Sequence, residues 1–116
     1  MRIIAGALLL LILATPMARA DPLDDEIAHL IDFVRRSSCT FIRNGSEYRG
    51  GDAADHIQAK YEHFKDEIHT VEDFIDRAAS KSLMSGEPYE VRCAGKMMPA
   101  ADWIRAEDAV YRSKQN

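Results

Sequence analysis

Two short segments with strand character, each carrying one of the two cysteines, constrain the fold of this chain most. Residues 39–43 are β-branched and aromatic, and residues 88–93 alternate in character, as strands do. If the two strands pair antiparallel with Cys39 opposite Cys93, a disulfide can span the distance between the cysteines. The pattern therefore predicts a ribbon closed at one end by a disulfide. The same register sets Phe41 opposite Val91 and Arg43 opposite Tyr89.

The first twenty residues have the features of a cleaved signal peptide. Arg2 gives a positive start, residues 3–13 form an apolar run, and Ala18–Ala20 matches the A-x-A cleavage pattern. The apolar run is much shorter than the ~20 residues that span a bilayer. We therefore expect export, cleavage after Ala20, and one globular domain at residues 21–116.

Export decides how the two cysteines are interpreted. Disulfides form and persist outside the cytoplasm, and an even number of cysteines favours pairing. A redox pair would be expected as C-x-x-C, and a zinc site would need two further ligands at short spacing. Neither pattern is present. The favoured interpretation is a structural disulfide between Cys39 and Cys93, with free thiols as the alternative.

The charge balance excludes two classes of partner. The chain has 15 basic and 19 acidic residues, a net charge of −4, and loss of Arg2 and Arg19 with the signal peptide leaves 13 against 19, or −6. An acidic chain without a Lys/Arg cluster argues against nucleic acid and against anionic membrane surfaces. It suits a cationic partner, through electrostatic steering.

Helical periodicity accounts for most of the remaining chain. In four segments, apolar residues recur in steps of three and four after a capping residue or a proline. The expected helices run from Asp21 to about Arg36, from an Asp52 cap to about His69, from a Thr70 capping box through Ala79, and onward from Pro99.

The strands are expected to form only a small sheet. Asn44–Gly45 predicts a tight turn followed by a short returning strand at residues 46–49, whereas residues 94–96 are expected to turn the chain away. Two or three strands need helices to cover one face. The prediction is an α+β fold of about four helices packed around a two- to three-stranded antiparallel sheet.

His56 is the strongest candidate for a functional histidine. It lies one helical turn after Asp52, and an acid–histidine pair can orient an imidazole as a general base. The favoured alternative is a structural histidine bonded to a backbone carbonyl or to Asp52, because no nucleophile lies at a recognisable spacing. His63 and Glu67 are four residues apart, a spacing that metal ligands on a helix can have. A solvated helix face is favoured, since H-E-x-x-H is absent. No metal and no cofactor is predicted.

A second set of candidates surrounds the Asn44–Gly45 turn. Arg43 lies beside this turn, and its guanidinium has the chemistry to bind an anion or a carboxylate. The favoured alternative is structural: the segment forms the turn, and Arg43 shields Tyr89. Neither a P-loop nor a G-x-S-x-G elbow is present. If the candidates converge on one cleft, they indicate ligand binding; if they are buried, they indicate a scaffold. The candidate binding residues are Arg43, Asn44, His56, Ser85 and Tyr89.

Three blocks of residues occur in a specific order and spacing: Phe41–Gly45, Asp52-Ala53-x-x-His56, and Phe74-Ile75-Asp76-x-x-Ala79-Ser80. In these blocks, and without gaps from Phe41 to Lys96, the chain resembles the YfeK-like family of small exported bacterial proteins with no established function. The resemblance implies a shared fold and a location in the Gram-negative periplasm. It carries over no catalytic residue, because none is assigned in the family.

The chain departs from the family pattern at two places. Asp52 stands where the pattern has Glu, which keeps a carboxylate at the start of the helix. The cysteine pair is not found in every relative, so the disulfide between Cys39 and Cys93 is interpreted as a local reinforcement.

The leading functional hypothesis is a soluble, non-catalytic periplasmic binding module for an envelope protein or another cationic partner, without stable membrane insertion after signal cleavage. A second hypothesis, from a different class, is a small hydrolase or lyase that acts on envelope material and uses His56 with Asp52 or Arg43. A third is a purely structural envelope component.

Overall fold

A computed structural model describes residues 6–7, 9–12 and 21–116. The expected signal peptide falls largely outside the described residues, and its cleavage site after Ala20 wholly so; both therefore stay predictions. Within the described part of the chain, no helix is both long enough and apolar enough to cross a bilayer.

The chain forms an α+β fold with its helices and strands at these bounds. The helices are α1 (Pro22–Arg36), α2 (Gly50–Phe64), α3 (Val71–Phe74, continued by a π-helical turn at Ile75–Ala79) and α4 (Ala100–Gln115). The strands are β1 (Thr40–Arg43), β2 (Ser46–Tyr48), β3 (Glu90–Cys93) and β4 (Lys96–Pro99). The expected fold class is confirmed, but the expected strand number was too low.

The two cysteine-bearing strands lie at the centre of the sheet. The strand order is β2-β1-β3-β4 and every pair is antiparallel. Phe41 lies opposite Val91, as the sequence predicted. Cys39 and Cys93 form a disulfide with 4.7 Å between their Cα atoms. The disulfide therefore fixes the register of β1 against β3 at the end remote from Arg43.

The helices cover one face of the sheet. Phe41 and Val91 point into the core beneath them, and Trp103 of α4 stacks on Phe33 of α1 at 4.4 Å between ring centroids. Val110, in the second half of α4, is 44% exposed. The fully buried large side chains that the helices contribute are Ile27, Leu30, Val34, Phe74, Ile75 and Ile104.

Of two predicted helix starts, the structure confirms one and contradicts the other. The Asp21 side chain accepts a hydrogen bond from the Leu23 amide at 3.0 Å, which confirms the first. The Asp52 cap was wrong, because α2 begins at Gly50 with Arg49 at its cap and Asp52 in its first turn. The earlier start follows from packing: an added Cβ on Gly50 would lie 2.4 Å from the Val34 carbonyl oxygen. Glycine thus lets the start of α2 touch the end of α1.

The fourth strand came from a hairpin turn that the sequence did not reveal. Ala94 and Gly95 have φ of 49° and 79°, nearly the values of 51° and 77° at Asn44 and Gly45. Two-residue hairpin turns of type I′ need positive φ at both central residues, and Asn-Gly is their usual signature. Ala94 lacks that signature, so residues 94–96 were expected to leave the sheet when in fact they connect β3 to β4.

We expect Ala94→Asn to stabilise the protein by about 0.5–1 kcal/mol. Alanine in the left-handed region is strained by its Cβ, whereas asparagine adopts this region with less cost. The free energy of unfolding from urea titration measures the difference. Asn44→Ala is the opposite change at the matching turn, and it should destabilise by more, because it also removes the Asn44 side-chain hydrogen bonds with Ser82 and Ser85. An Ala94→Asn protein less stable than the parent would contradict this account of the turn.

Candidate functional site

A cavity of about 320 Å³ lies between the sheet and helices α2, α3 and α4. Most of its wall is apolar, formed by Phe41, Ile42, Ala53, Ile57, Ala79, Ala100 and Ile104. Its polar side chains are Arg43, Tyr48, Asp52, His56 and Tyr89. Mostly apolar walls with a few convergent polar groups are typical of small-molecule sites.

Arg43 brings a positive charge to the polar side of the cavity. The residue ends β1, immediately before the Asn44–Gly45 turn. Its Nη1 lies 2.9 Å from both ring nitrogens of His56, and its Nη2 donates to the Tyr48 hydroxyl at 3.4 Å. The guanidinium also lies over the Tyr48 ring, 5.2 Å from the centroid. Among the described residues, only neutral groups therefore hydrogen-bond to this guanidinium.

Helix α2 supplies the two residues behind Arg43. His56 Nε2 lies 3.2 Å from the Tyr89 hydroxyl, and Lys60, one turn further on, donates to the same hydroxyl at 3.0 Å. Lys60 Nζ also donates to the Lys81 carbonyl oxygen at 2.9 Å. Lys60 is only 9% exposed and does not line the cavity. It therefore acts on the cavity through Tyr89.

The protonation states follow from burial and from the neighbouring cations. Burial, and then Arg43 and Lys60, lower the pKa of His56 below its ordinary value. Burial, and then Arg43, lower the pKa of Lys60, while burial raises the pKa of Tyr89 against the opposing effect of Arg43. At neutral pH, His56 is therefore an uncharged imidazole with a lone pair available to Arg43.

No carboxylate balances this group in the part of the chain that the structure describes. Arg43 and Lys60 donate only to His56, to tyrosine hydroxyls and to a backbone carbonyl. Asp52 lines the cavity from the exposed first turn of α2, but it makes no hydrogen bond with His56. The candidate acid–histidine pair is therefore not formed. An arginine–histidine–tyrosine group stands in its place, and Lys60 lies behind it.

The five candidate binding residues divide into two groups. Arg43, His56 and Tyr89 share the cavity. Asn44 and Ser85 do not line it: the Ser85 hydroxyl donates to the Asn44 side-chain oxygen, and the Asn44 amide donates to Ser82 Oγ at 3.3 Å. These bonds fasten the β1–β2 turn to the loop that precedes Tyr89, so Asn44 and Ser85 hold two walls of the site together.

Two site residues were missed by sequence reasoning. Lys60 follows His56 by one helical turn, a spacing that places both on one face of α2. Tyr48 lies opposite Phe41 in the β1–β2 hairpin. Extending the predicted strand register to β2 would have placed Tyr48 next to the site. Neither signal distinguishes a site residue from an ordinary surface residue without the tertiary structure.

A second group with perturbed pKa values joins helices α1 and α4. Burial and a hydrogen bond with Glu26 raise the pKa of Asp108 to about 6. Burial also opposes ionisation of Glu26, but hydrogen bonds with Asp108 and Arg112 outweigh it and lower the pKa of Glu26. Arg112 Nε lies 2.8 Å from the Glu26 carboxylate. This group fastens α4 to α1 and lies apart from the cavity.

The chemistry available in the cavity is anion recognition and, through neutral His56, proton acceptance. Of the residues that the structure describes, Tyr48 and Tyr89 supply the hydroxyl groups in the cavity, and no serine, threonine or cysteine lines it. Among the described residues, no group of three or more His, Cys, Asp or Glu side chains has the arrangement needed to hold a metal ion.

Comparisons with known proteins identify relatives without an assigned role. Residues 21–112 match the model of a family of unknown function, DUF5329. The uncharacterized protein YfeK of Salmonella typhimurium is 36% identical over 62 residues, which are 53% of this chain and 52% of YfeK. The match thus spans about half the length of this curated relative, and it confirms the resemblance to the YfeK-like family. No solved structure matches.

Proposed function

The chain belongs to the DUF5329 family of unknown function, and we propose that it binds a small organic anion with an apolar body in the cavity beside Arg43, His56 and Tyr89. One observation carries the proposal. Two cations, Arg43 and Lys60, hydrogen-bond to neutral groups at this site, and neither has a carboxylate partner among the described residues. A partly buried charge that is unpaired is costly, and a bound anion would supply the missing partner.

Arg43 is the primary ligand contact in this proposal. A guanidinium offers parallel donors that match the two oxygens of a carboxylate. Tyr89 lines the same wall, and its hydroxyl accepts from Lys60 and lies 3.2 Å from His56 Nε2. The hydroxyl hydrogen can be donated to an anion in place of the imidazole. The charge of Lys60 strengthens that donation without touching the ligand.

The apolar wall selects the rest of the ligand. Phe41, Ile57 and Ile104 line the cavity, and a volume of about 320 Å³ is at the lower end of the range for small-molecule sites. Burial of an apolar body there contributes roughly 25 cal/mol for each Å² removed from water. Inorganic anions gain nothing from this wall, so the proposed ligand is a short aliphatic or aromatic acid.

The proposed location is the periplasm. The signal-peptide pattern supports export, and the disulfide between Cys39 and Cys93 supports an oxidising compartment. The proposal keeps the binding-module class expected from the sequence but assigns the site an anionic ligand. The hypothesis of a cationic or envelope-protein partner concerns the acidic outer surface, and it stays a prediction.

Isothermal titration calorimetry with 3-phenylpropionate, 4-methylpentanoate and inorganic phosphate tests the function directly. The two organic acids are expected to bind, and phosphate to bind more weakly, because only the acids occupy the apolar wall. Failure of both acids to bind would rule out the proposal.

Affinity for 3-phenylpropionate should increase as the pH falls from 8 to 6. The free protein holds the pKa of His56 low, and a bound carboxylate favours the protonated ring, so binding takes up a proton. The affinity is expected to increase a few-fold across this range. Uptake of one proton limits the increase to less than tenfold per pH unit. His56→Gln should flatten the dependence. Affinity that falls toward acidic pH would contradict this account.

The hydrolase or lyase hypothesis rests on a different property of the same residue. A neutral imidazole in a cavity can act as a base at neutral pH, and the lowered pKa of His56 favours that state. However, Arg43 already contacts both ring nitrogens, and among the described residues no serine, threonine or cysteine lines the cavity as a nucleophile. Simple binding is therefore better supported. Ester turnover that disappears in His56→Gln would favour the enzyme instead.

A further inference from the structure

The cavity carries a second charge of opposite sign at its exposed edge. Asp52 lies in the first turn of α2, four residues before His56, and lines the cavity. Among the described residues it makes no ion pair or side-chain hydrogen bond, whereas Asp55 on the same helix pairs with Arg35 at 2.7 Å. The cavity therefore presents an unpaired cation at one position and an unpaired carboxylate at another.

Resting on the proposed function, we infer that the ligand is a free α-amino acid with an apolar side chain. Its carboxylate binds Arg43 and Tyr89, its ammonium group faces Asp52, and its side chain occupies the apolar wall. A single zwitterion satisfies both unpaired charges, and its charges neutralise each other on leaving water.

The two charges also exclude competing ligands. A dicarboxylate would bring its second charge toward Asp52, and like charges repel at short range. A primary amine without a carboxylate would leave Arg43 unpaired and would meet its positive charge. Because Asp52 is exposed and retains water, its contribution is that of a partly solvated ion pair.

Asp52 has a second effect that the test must separate. A carboxylate in the first turn of a helix is stabilised by the positive end of the helix dipole, so Asp52→Asn will also lower stability slightly. Thermal unfolding of each variant measures that effect by itself. Asp55→Asn is the matched control, because Asp55 lies on the same helix but does not line the cavity.

The test compares L-phenylalanine with 3-phenylpropionate and phenethylamine by calorimetry at pH 7. These compounds share one apolar body and differ in their charged groups. L-Phenylalanine is expected to bind about threefold more tightly than 3-phenylpropionate, the size of one partly solvated ion pair. Phenethylamine should bind more weakly than either. Asp52→Asn should abolish the preference, and Asp55→Asn should keep it.

The outcomes separate this inference from the proposed function. If 3-phenylpropionate binds as tightly as L-phenylalanine or more tightly, the amino-acid inference is overturned while anion binding stands. A preference that survives Asp52→Asn also overturns the inference. If neither carboxylate binds, the proposed function itself fails.

Discussion

Replacing Arg43 with methionine is expected to weaken the binding of 3-phenylpropionate by about 30-fold or more. Removing one partner of a buried, hydrogen-bonded charge pair costs about 2–5 kcal/mol, and 2 kcal/mol corresponds to about 30-fold in the dissociation constant. Methionine keeps an unbranched apolar stem of similar reach, so the cavity wall is preserved. Arg43→Lys should give an intermediate loss, because it keeps the charge but not the paired donors.

The same variant has a readout that does not depend on a ligand. Arg43 contributes to the lowered pKa of His56 after burial, so Arg43→Met should raise the pKa of His56 toward its ordinary value. An NMR titration of the imidazole protons measures this shift. Arg92→Met is the control: Arg92 pairs with Glu47 on the sheet at 2.8 Å and does not line the cavity. Unchanged ligand affinity in Arg43→Met would exclude the assigned role.

Replacing Gly50 with alanine is expected to destabilise the protein by about 3 kcal/mol, at the upper end for one overpacked methyl group. The added Cβ would lie 2.4 Å from the Val34 carbonyl oxygen and 2.8 Å from that of Ser37. Both are backbone atoms at the end of α1, so no side-chain rotation relieves the clash. Helices α1 and α2 must separate, and chemical denaturation measures the loss.

Gly51→Ala is the matched control one residue later. An added Cβ there meets nothing within 4 Å, and the position lies inside the first turn of α2. Alanine is the better helix former, by up to about 1 kcal/mol in a helix interior and less at an end. Gly51→Ala should therefore be neutral or stabilising. Equal losses at Gly50 and Gly51 would show that helix propensity, not the contact with α1, sets the effect.

The contact at Gly50 also bears on the site. Helix α2 carries His56 and Lys60, and the sheet carries Arg43, so the position of α2 sets the distances among them. Part of the Gly50→Ala effect should appear as weaker ligand binding at temperatures where the protein remains folded.

Local signals predicted much of the fold. The Asp21 cap, the antiparallel register of Phe41 with Val91, and the Asn44–Gly45 turn each depend on residues close in sequence or on one strand pair. The Thr70 capping box was also predicted: Thr70 Oγ1 accepts from the Asp73 amide at 3.0 Å. The Asp73 carboxylate then accepts from the His69 amide, one residue before the cap.

The failures are those in which helix packing or strand pairing overrides the preference of a single residue. The start of α2 at Gly50 depends on the carbonyls of α1, which no local pattern encodes. The hairpin at Ala94–Gly95 places alanine in a backbone region that it normally avoids, and the pairing of β3 with β4 holds it there. Neither the early start of α2 nor this hairpin follows from the propensities of the residues involved.

By itself, the sequence indicated the α+β class, favoured a disulfide between Cys39 and Cys93 over free thiols, and marked Arg43, His56 and Tyr89 as candidates. Each of these leaves a pattern of spacing or residue type. Only the tertiary structure decided that these three side chains meet in one cavity, that Lys60 stands behind them, and that no carboxylate is in contact with them in the described chain. The physical reason is that a charge is paired or unpaired according to the distances between side chains on α2, on β1 and just before β3. Those distances are set by packing, which the order of residues does not display.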